Sequence, residues 1–240
     1  MEFKDKTVII TGASVGIGKA TAIEFASRGA TLGLIGINAE QLEEVKSEIE
    51  ALGAEVSAYV CDVSNEESVK KTVSGFIAKY GKIDVLVNNA GVWRYTEAFV
   101  EMDSSIWKKI IDINILGTMY FSQAVLKNMI ENKYGRIINL GSVAGVYGNA
   151  YMAPYSMSKG AISAFTKALA KEVTGYGITV NNVVPGNVLN EGATSNEALS
   201  FANRSGRLEE FAYLICFLAS DKAAFISGQD YQIDGCRKKM

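Results

Sequence analysis

The chain has 240 residues, 48% of them hydrophobic, which is ample for one large core and ordinary for a single α/β domain. Its 24 basic and 26 acidic side chains leave a formal charge of -2 with no basic stripe, which argues against counterion-driven binding to nucleic acid. Histidine is absent, so mechanisms that need an imidazole base or the usual His metal ligand are excluded, any base must be Tyr, Lys, Asp or Glu, and no metal site is expected.

The N-terminus runs from a charged tip into a β-branched run without a secretory h-region, and no apolar stretch reaches the roughly 18 residues of a membrane span. Predicted strands cover Thr7–Thr11, Thr31–Ile35, Glu55–Val60, Val85–Asn88, Arg136–Leu140, Thr179–Val184 and Tyr231–Ile233. Helical periodicity falls between them at Ile17–Ser27, Ala39–Leu52, Glu66–Tyr80, Ser104–Glu131, Tyr155–Thr174 and Arg207–Ser220. Gly29, Gly53, Gly81 and Gly175 follow their helices, and Asn65 is placed to cap the third one. Alternation of this kind predicts repeated βαβ units in one domain, residues 1–240: a doubly wound, parallel, seven-stranded sheet with helices on both faces. Ligands are then expected outside the carboxyl ends of the strands. Cys61, Cys216 and Cys236 have no redox or metal-ligand spacing, which fits a reducing, cytoplasmic setting.

The first strand leads into TGASVGIG, a glycine-bearing turn that opens a helix, where backbone N–H groups and the helix dipole favour a pyrophosphate. Gly12, Ser14, Val15, Gly16, Ile17 and Gly18 are the candidate cradle. Ser142 stands at the end of the fifth strand, and Tyr155 and Lys159 are four residues apart on one helix, which puts phenol and ammonium on one face. An adjacent cation favours the phenolate of a tyrosine, and a serine hydroxyl can donate to a substrate oxygen that gathers negative charge.

These motifs resemble the short-chain dehydrogenase/reductase family: TGxxxGxG, then Asn88-Asn89-Ala90-Gly91, Ser142, Tyr155-Ser-Met-Ser-Lys159 and Pro185-Gly186, in that order over essentially the whole chain. The resemblance, which extends to 3-ketoacyl-ACP reductases and hydroxysteroid dehydrogenases, implies a Rossmann-type fold and an oxidoreductase that interconverts a secondary alcohol and a ketone with NAD(P). It implies that Tyr155 exchanges the hydroxyl proton, Lys159 also binds the nicotinamide ribose, Ser142 orients the substrate, and Asn114 belongs to a proton relay through water. It further implies cofactor contacts from Asp62 and Val63, from Asn89, Ala90 and Gly91, and from Pro185, Gly186 and Val188.

Three departures from the family pattern matter. Where the second strand ends, Gly36-Ile37-Asn38 carries neither an acid for a ribose 2′-hydroxyl nor a base for a 2′-phosphate, and Val15 supplies no cation, so NAD is slightly favoured, with Ile37 and Asn38 bordering the adenosine. The segment from Asn187 to Gly206, expected to form a substrate lid, is short and has Asn190 where a threonine is common. The ending Asp234-Gly235-Cys236 replaces the last glycine of a DGG turn.

Trp93, Tyr95, Val146, Tyr147, Tyr151 and Met152 lie in loops expected to border an apolar pocket for a 3-ketoacyl thioester, a steroid, or a cyclic or aryl alcohol. Apolar residues on more than one face of the two long helices, such as Met119, Phe121, Phe165 and Leu169, predict burial on a partner subunit as well as on the sheet, and the resemblance implies a homotetramer. The alternatives are a catalytically silent cofactor-binding subunit and, behind it, epimerase or dehydratase chemistry using the same Tyr and Lys.

Overall fold

The computed structural model describes residues 1–190, 192 and 194–238. In chain order the elements are β1 (Thr7–Thr11), α1 (Gly16–Ser27), β2 (Thr31–Gly36), α2 (Ala39–Ala51), β3 (Val56–Val60), α3 (Glu66–Tyr80), β4 (Val85–Asn88) and α4 (Ser104–Ile111). A π-helical turn (Asp112–Leu116) leads into α5 (Gly117–Asn132), β5 (Gly135–Leu140), α6 (Ala144–Tyr147), α7 (Ala153–Val173) and β6 (Ile178–Pro185). The chain closes with β7 (Val188–Leu189), β8 (Gly206–Arg207), α8 (Leu208–Ala219) and β9 (Asp230–Ile233).

The main sheet has seven strands in the order β3-β2-β1-β4-β5-β6-β9, all parallel. Period-two alternation divides its apolar side chains between two cores. Val8, Ile10, Val85, Val87, Ile138 and Val183 meet α1, α2 and α8 on one face, where Phe25, Leu42 and Ile215 are buried. Ile9, Leu86, Ile137 and Val180 meet α3, α5 and α7 on the other, around Phe76, Phe121 and Leu169. The strand order reverses between β1 and β4, and the loops leaving the carboxyl ends of these strands form the crevice.

The predicted strands agree with these elements to within a residue at each end. The helix expected over Ser104–Glu131 is broken in register by the π-helical turn, which inserts a residue and turns Asn114 into the protein, where it is 1% exposed. The long helix bearing Tyr155 starts two residues earlier than expected because Pro154 fits its first turn, where no N–H is needed. Its terminal left-handed glycine is Gly177 (φ 78°) and not Gly175, since a 3₁₀ turn (Thr174–Tyr176) intervenes. Asn65 caps α3 as expected, accepting from Ser68 N at 2.9 Å.

Within the segment predicted as a lid, Glu191 and Ala193 lie outside the described residues. The rest is tied down at both ends. Val188 and Leu189 pair with Gly206 and Arg207 in a second small sheet, which the periodicity did not show because two-residue strands carry no pattern. Leu199, Phe201 and Ala202 are joined by backbone hydrogen bonds to Lys238, Cys236 and Gly235, so residues 235–238 hold this segment in place. Cys236, in place of the expected glycine, still adopts the left-handed region (φ 58°).

Candidate active site

The phosphate loop is shaped by close backbone approach. Gly12 has φ 62°, and a Cβ on Gly18 would lie 2.1 Å from Gly12 O, so only glycine lets α1 start against β1. Asn89 spends its side chain on this loop: Nδ2 donates to Thr11 O and Gly12 O, both at 3.0 Å. Thr11 Oγ1 in turn accepts from Asn89 N and Ala90 N at 3.0 Å. Asn88 points into the sheet layer and donates to Ser122 Oγ and Asn139 Oδ1. The Asn88-Asn89 pair thus holds the two sides of the crevice together.

The first turn of α1 has no side-chain cap at Val15, which is itself 57% exposed, so its N–H groups remain open to an anion. The spacing of Ser14, Gly16 and Ile17 around that turn, with Asn190 reaching over it (its Oδ1 would be 3.3 Å from a Cβ on Gly16), fits a dinucleotide pyrophosphate. At the end of β2, Ile37 is 77% exposed and Asn38 Oδ1 accepts from Gln41 N at 3.0 Å, capping α2. Asp62 Oδ1 takes Ser64 N and Ser64 Oγ, and Val63 is buried against Gly117, where a Cβ would meet Val63 Cγ2 at 2.7 Å. Asp62 keeps an exposed carboxylate edge, whereas Val63 has only backbone to offer.

The structure brings Ser142, Tyr155 and Lys159 together. Two backbone bonds from the β5 exit, Gly141 N to Val183 O and Val143 N to Pro185 O, fix the segment carrying Ser142 beside β6. Ser142 Oγ accepts from Ala144 N at 3.1 Å, starting α6, which packs on α7 at Gly145: a Cβ there would be 2.5 Å from the Lys159 carbonyl carbon. Burial raises the Tyr155 phenol above its ordinary pKa, and a hydrogen bond with Ser142 pulls it partly back. Lys159, 7% exposed, is lowered to about 8 by burial. Its Nζ donates to Leu140 O at 2.7 Å and lies 5.9 Å from the centre of the Tyr155 ring. Burial thus raises the phenol, and Ser142 works in the opposite direction, favouring the phenolate.

Asn114 joins this cluster through the backbone. Its Oδ1 accepts from Val92 N at 2.8 Å, and its Nδ2 donates to Val92 O at 3.1 Å and to Ser158 Oγ at 3.0 Å. Gly91 sits between the two polar groups, since a Cβ there would lie 3.3 Å from Asn114 Oδ1 and 3.4 Å from Lys159 Nζ. Ser158, fully buried, was not singled out from the sequence, where a serine inside YSMSK has no distinguishing pattern. At the far wall, Gly186 N donates to Ile233 O at 3.0 Å, which sets Pro185-Gly186 over the end of β9. Trp93, Val146, Tyr147 and Tyr151 are 44–62% exposed around the opening, and Tyr151 has φ 64°.

A phenol near a serine hydroxyl and a buried lysine, beside an uncapped helix N-terminus, suits proton exchange at an oxygen coupled to hydride transfer. The family model for short chain dehydrogenase matches residues 6–198. The chain is 39% identical to the 3-oxoacyl-[acyl-carrier-protein] reductase FabG of Thermotoga maritima, with 98% of each covered. It is 40% identical to the 3-oxoacyl-[acyl-carrier-protein] reductase of Synechocystis, with 96% of each covered. A crystal structure of NAD+-bound xylitol dehydrogenase superposes with a TM-score of 0.94 at 32% identity, covering 98% of this chain and 100% of that one. The chain belongs to the short-chain dehydrogenase/reductase family and is an oxidoreductase acting on CH–OH and ketone groups.

Proposed function

We propose that this chain is a 3-oxoacyl thioester reductase, with Ser142, Tyr155 and Lys159 as its catalytic residues, Asn114 as the residue that organises them, and residues 1–240 acting as one dinucleotide-binding and catalytic unit. The observation that carries the reading is the placement of the buried Lys159, its Nζ 5.9 Å from the centre of the Tyr155 ring, in a cavity wall shared with Ser142 at the open end of the sheet. The names of the 39–40% identical relatives supply the substrate class. The exposed aromatic and apolar rim of Trp93, Val146, Tyr147 and Tyr151 suits an acyl chain.

Gly12, Ser14, Val15, Gly16, Ile17 and Gly18 would hold the pyrophosphate, with Ile37, Asn38, Asp62 and Val63 on the adenosine side. Asn89, Ala90, Gly91, Lys159, Pro185, Gly186 and Val188 would lie along the remainder. The nicotinamide, when bound, supplies or accepts the hydride. Tyr155 gives its proton to the substrate oxygen as negative charge develops there, and Ser142 donates a second hydrogen bond to that oxygen. Burial, which keeps Tyr155 protonated in the free protein, suits it to act as the acid in the reductive direction. Lys159 places a positive charge in the same buried space and so resists full ionic isolation of the phenolate that remains.

NAD is the favoured cofactor. A 2′-phosphate needs charge-assisted partners, and at the end of β2 Ile37 is uncharged and Asn38 is engaged as a helix cap. A homotetramer is supported by exposed Tyr213 and Phe217 on α8, by Phe225 ahead of β9 and by Met119 and Met157 on the long helices. Buried, unpaired Cys61 and Cys216 suit the cytoplasm, and among the described residues no helix is long and apolar enough to cross a membrane.

Titration with NADH and NADPH, followed by reduction of an acetoacetyl thioester read at the reduced-cofactor absorbance, tests the proposal. Tighter NADH binding with turnover supports it. Tighter NADPH binding would overturn the cofactor preference, turnover of polyols in place of the thioester would overturn the substrate class, and binding without any turnover would favour the silent-subunit alternative. Light scattering showing a monomer would remove the tetramer.

A further inference from the structure

Strand β5 leads into Ser142, and α7 carries Tyr155 and Lys159, so the site depends on how these two elements sit on each other. Much of what joins α7 to the sheet is apolar: Leu169, Ala170 and Val173 share a core with Ile137 and Val180. Apolar burial is non-directional, and a helix held by it alone can slide or turn on its bed at little cost. Hydrogen bonds fix position, because they tolerate little change in distance or angle.

Two polar contacts join β5 to α7. Lys159 Nζ donates to Leu140 O at 2.7 Å, and from the preceding residue Asn139 Nδ2 donates to Thr166 Oγ1 at 2.9 Å. Lys159 and Thr166 stand two turns apart on one face of α7, so the second contact lies about 10 Å further along the helix. Asn139 and Thr166 are both 0% exposed, where an unpaired amide or hydroxyl is costly and a pair of apolar side chains would pack at no such risk.

Asn139 is itself held. Its Oδ1 accepts from Asn88 Nδ2 at 2.9 Å, which also donates to Ser122 Oγ at 3.0 Å. Ser122 Oγ donates to Thr118 O, Thr118 Oγ1 to Asn114 O, and Asn114 Nδ2 to Ser158 Oγ, beside Lys159. A buried line of hydrogen bonds thus leaves α7 at Thr166, crosses β5, β4, α5 and the π-helical turn, and returns to α7 at Ser158. Hydrogen bonds linked in series in a low-dielectric interior strengthen one another.

We propose that the bond from Asn139 to Thr166 sets the register of α7 on β5, which makes these two side chains positioning residues for the transfer of the Tyr155 proton. The inference rests on the catalytic roles assigned above to Ser142, Tyr155 and Lys159. Without the bond, α7 shifts along or about its axis, and Tyr155 and Lys159 move together relative to Ser142. A misplacement on the order of 1 Å costs about a hundredfold in rate. The phosphate loop is spared, because Asn89 bonds to Thr11 and Gly12 independently of α7.

Thr166→Val tests this, since it keeps the shape of the side chain, deletes the acceptor and strands Asn139 Nδ2. Reduction of an acetoacetyl thioester, measured well below the melting temperature, should show kcat lowered at least about tenfold, with KM and the nicotinamide dissociation constant within about twofold of wild type. Thr166→Ser, which loses a buried methyl and keeps the hydroxyl, should melt earlier yet turn over within about twofold of wild type. The double variant Asn139→Val/Thr166→Val removes both partners, so its melting temperature should recover toward wild type while kcat stays low. Should Thr166→Val not fold, Asn139→Val alone carries the same expectation, with Asn88 Nδ2 keeping Ser122. A wild-type kcat in either folded single valine variant, no rescue by serine, or a kcat that recovers together with the melting temperature in the double variant overturns the positioning role alone. A wild type inactive toward every carbonyl tested overturns the catalytic roles themselves.

Discussion

Asn114 grips both backbone groups of Val92, accepting from its N–H at 2.8 Å and donating to its C=O at 3.1 Å. A side-chain amide is the one group of this size that can do both, and the π-helical turn from Asp112 to Leu116 is what aims it there. The loop leaving β4 is thereby held against the helix that carries Ser158 and Lys159.

Asn114→Leu should therefore destabilise the fold by roughly 2–4 kcal/mol, since it strands the Val92 N–H and C=O and removes the donor to Ser158 Oγ, which keeps its own bond to Tyr155 O. Chemical denaturation gives the loss, and limited proteolysis should show new cleavage in the 91–99 segment. A variant as stable as wild type, with no new cleavage, would mean that the grip contributes nothing.

Tyr155→Phe removes the phenolic proton and retains the ring. Turnover should fall by roughly a hundredfold to ten-thousandfold with the dissociation constant for the nicotinamide cofactor unchanged. Turnover within a factor of a few of wild type would take the acid out of Tyr155.

The buried Lys159 predicts a pH signature. Its folded pKa of about 8 is below the ordinary 10.5, so between these values the unfolded chain keeps a proton that the folded chain has released. More protons bound in the unfolded state means that stability rises with pH. Wild type should gain on Lys159→Met by up to about 3 kcal/mol from pH 8 to 10.5, with no relative change below pH 7. A flat difference across that window would show that the ammonium is not desolvated.

Gly18→Ala tests the close approach at the phosphate loop. With its Cβ 2.1 Å from Gly12 O, the alanine must push α1 away from β1, which misaligns the N–H groups offered to an anion. Nicotinamide binding by calorimetry should weaken by at least about tenfold, and the fold should lose on the order of 1–3 kcal/mol. Equal affinity would place the pyrophosphate elsewhere.

Local rules determined much of this protein from the sequence. Alternating β-branched runs and amphipathic segments define seven parallel strands, because period and length are properties of each segment, and the TGASVGIG turn or the Tyr155–Lys159 spacing needs only neighbouring residues to be read. Tertiary structure decided the rest, because it depends on which distant groups meet. Asn89 is consumed by Thr11 and Gly12, and the inward turn of Asn114 finds its purpose only at Val92 and Ser158. The burial that raises the Tyr155 phenol and lowers the Lys159 ammonium comes from elements far apart in the chain. The two-residue strands of the lid, the hold of residues 235–238 on it, and the bond from Asn139 to Thr166 leave no periodic trace, since each depends on long-range contact.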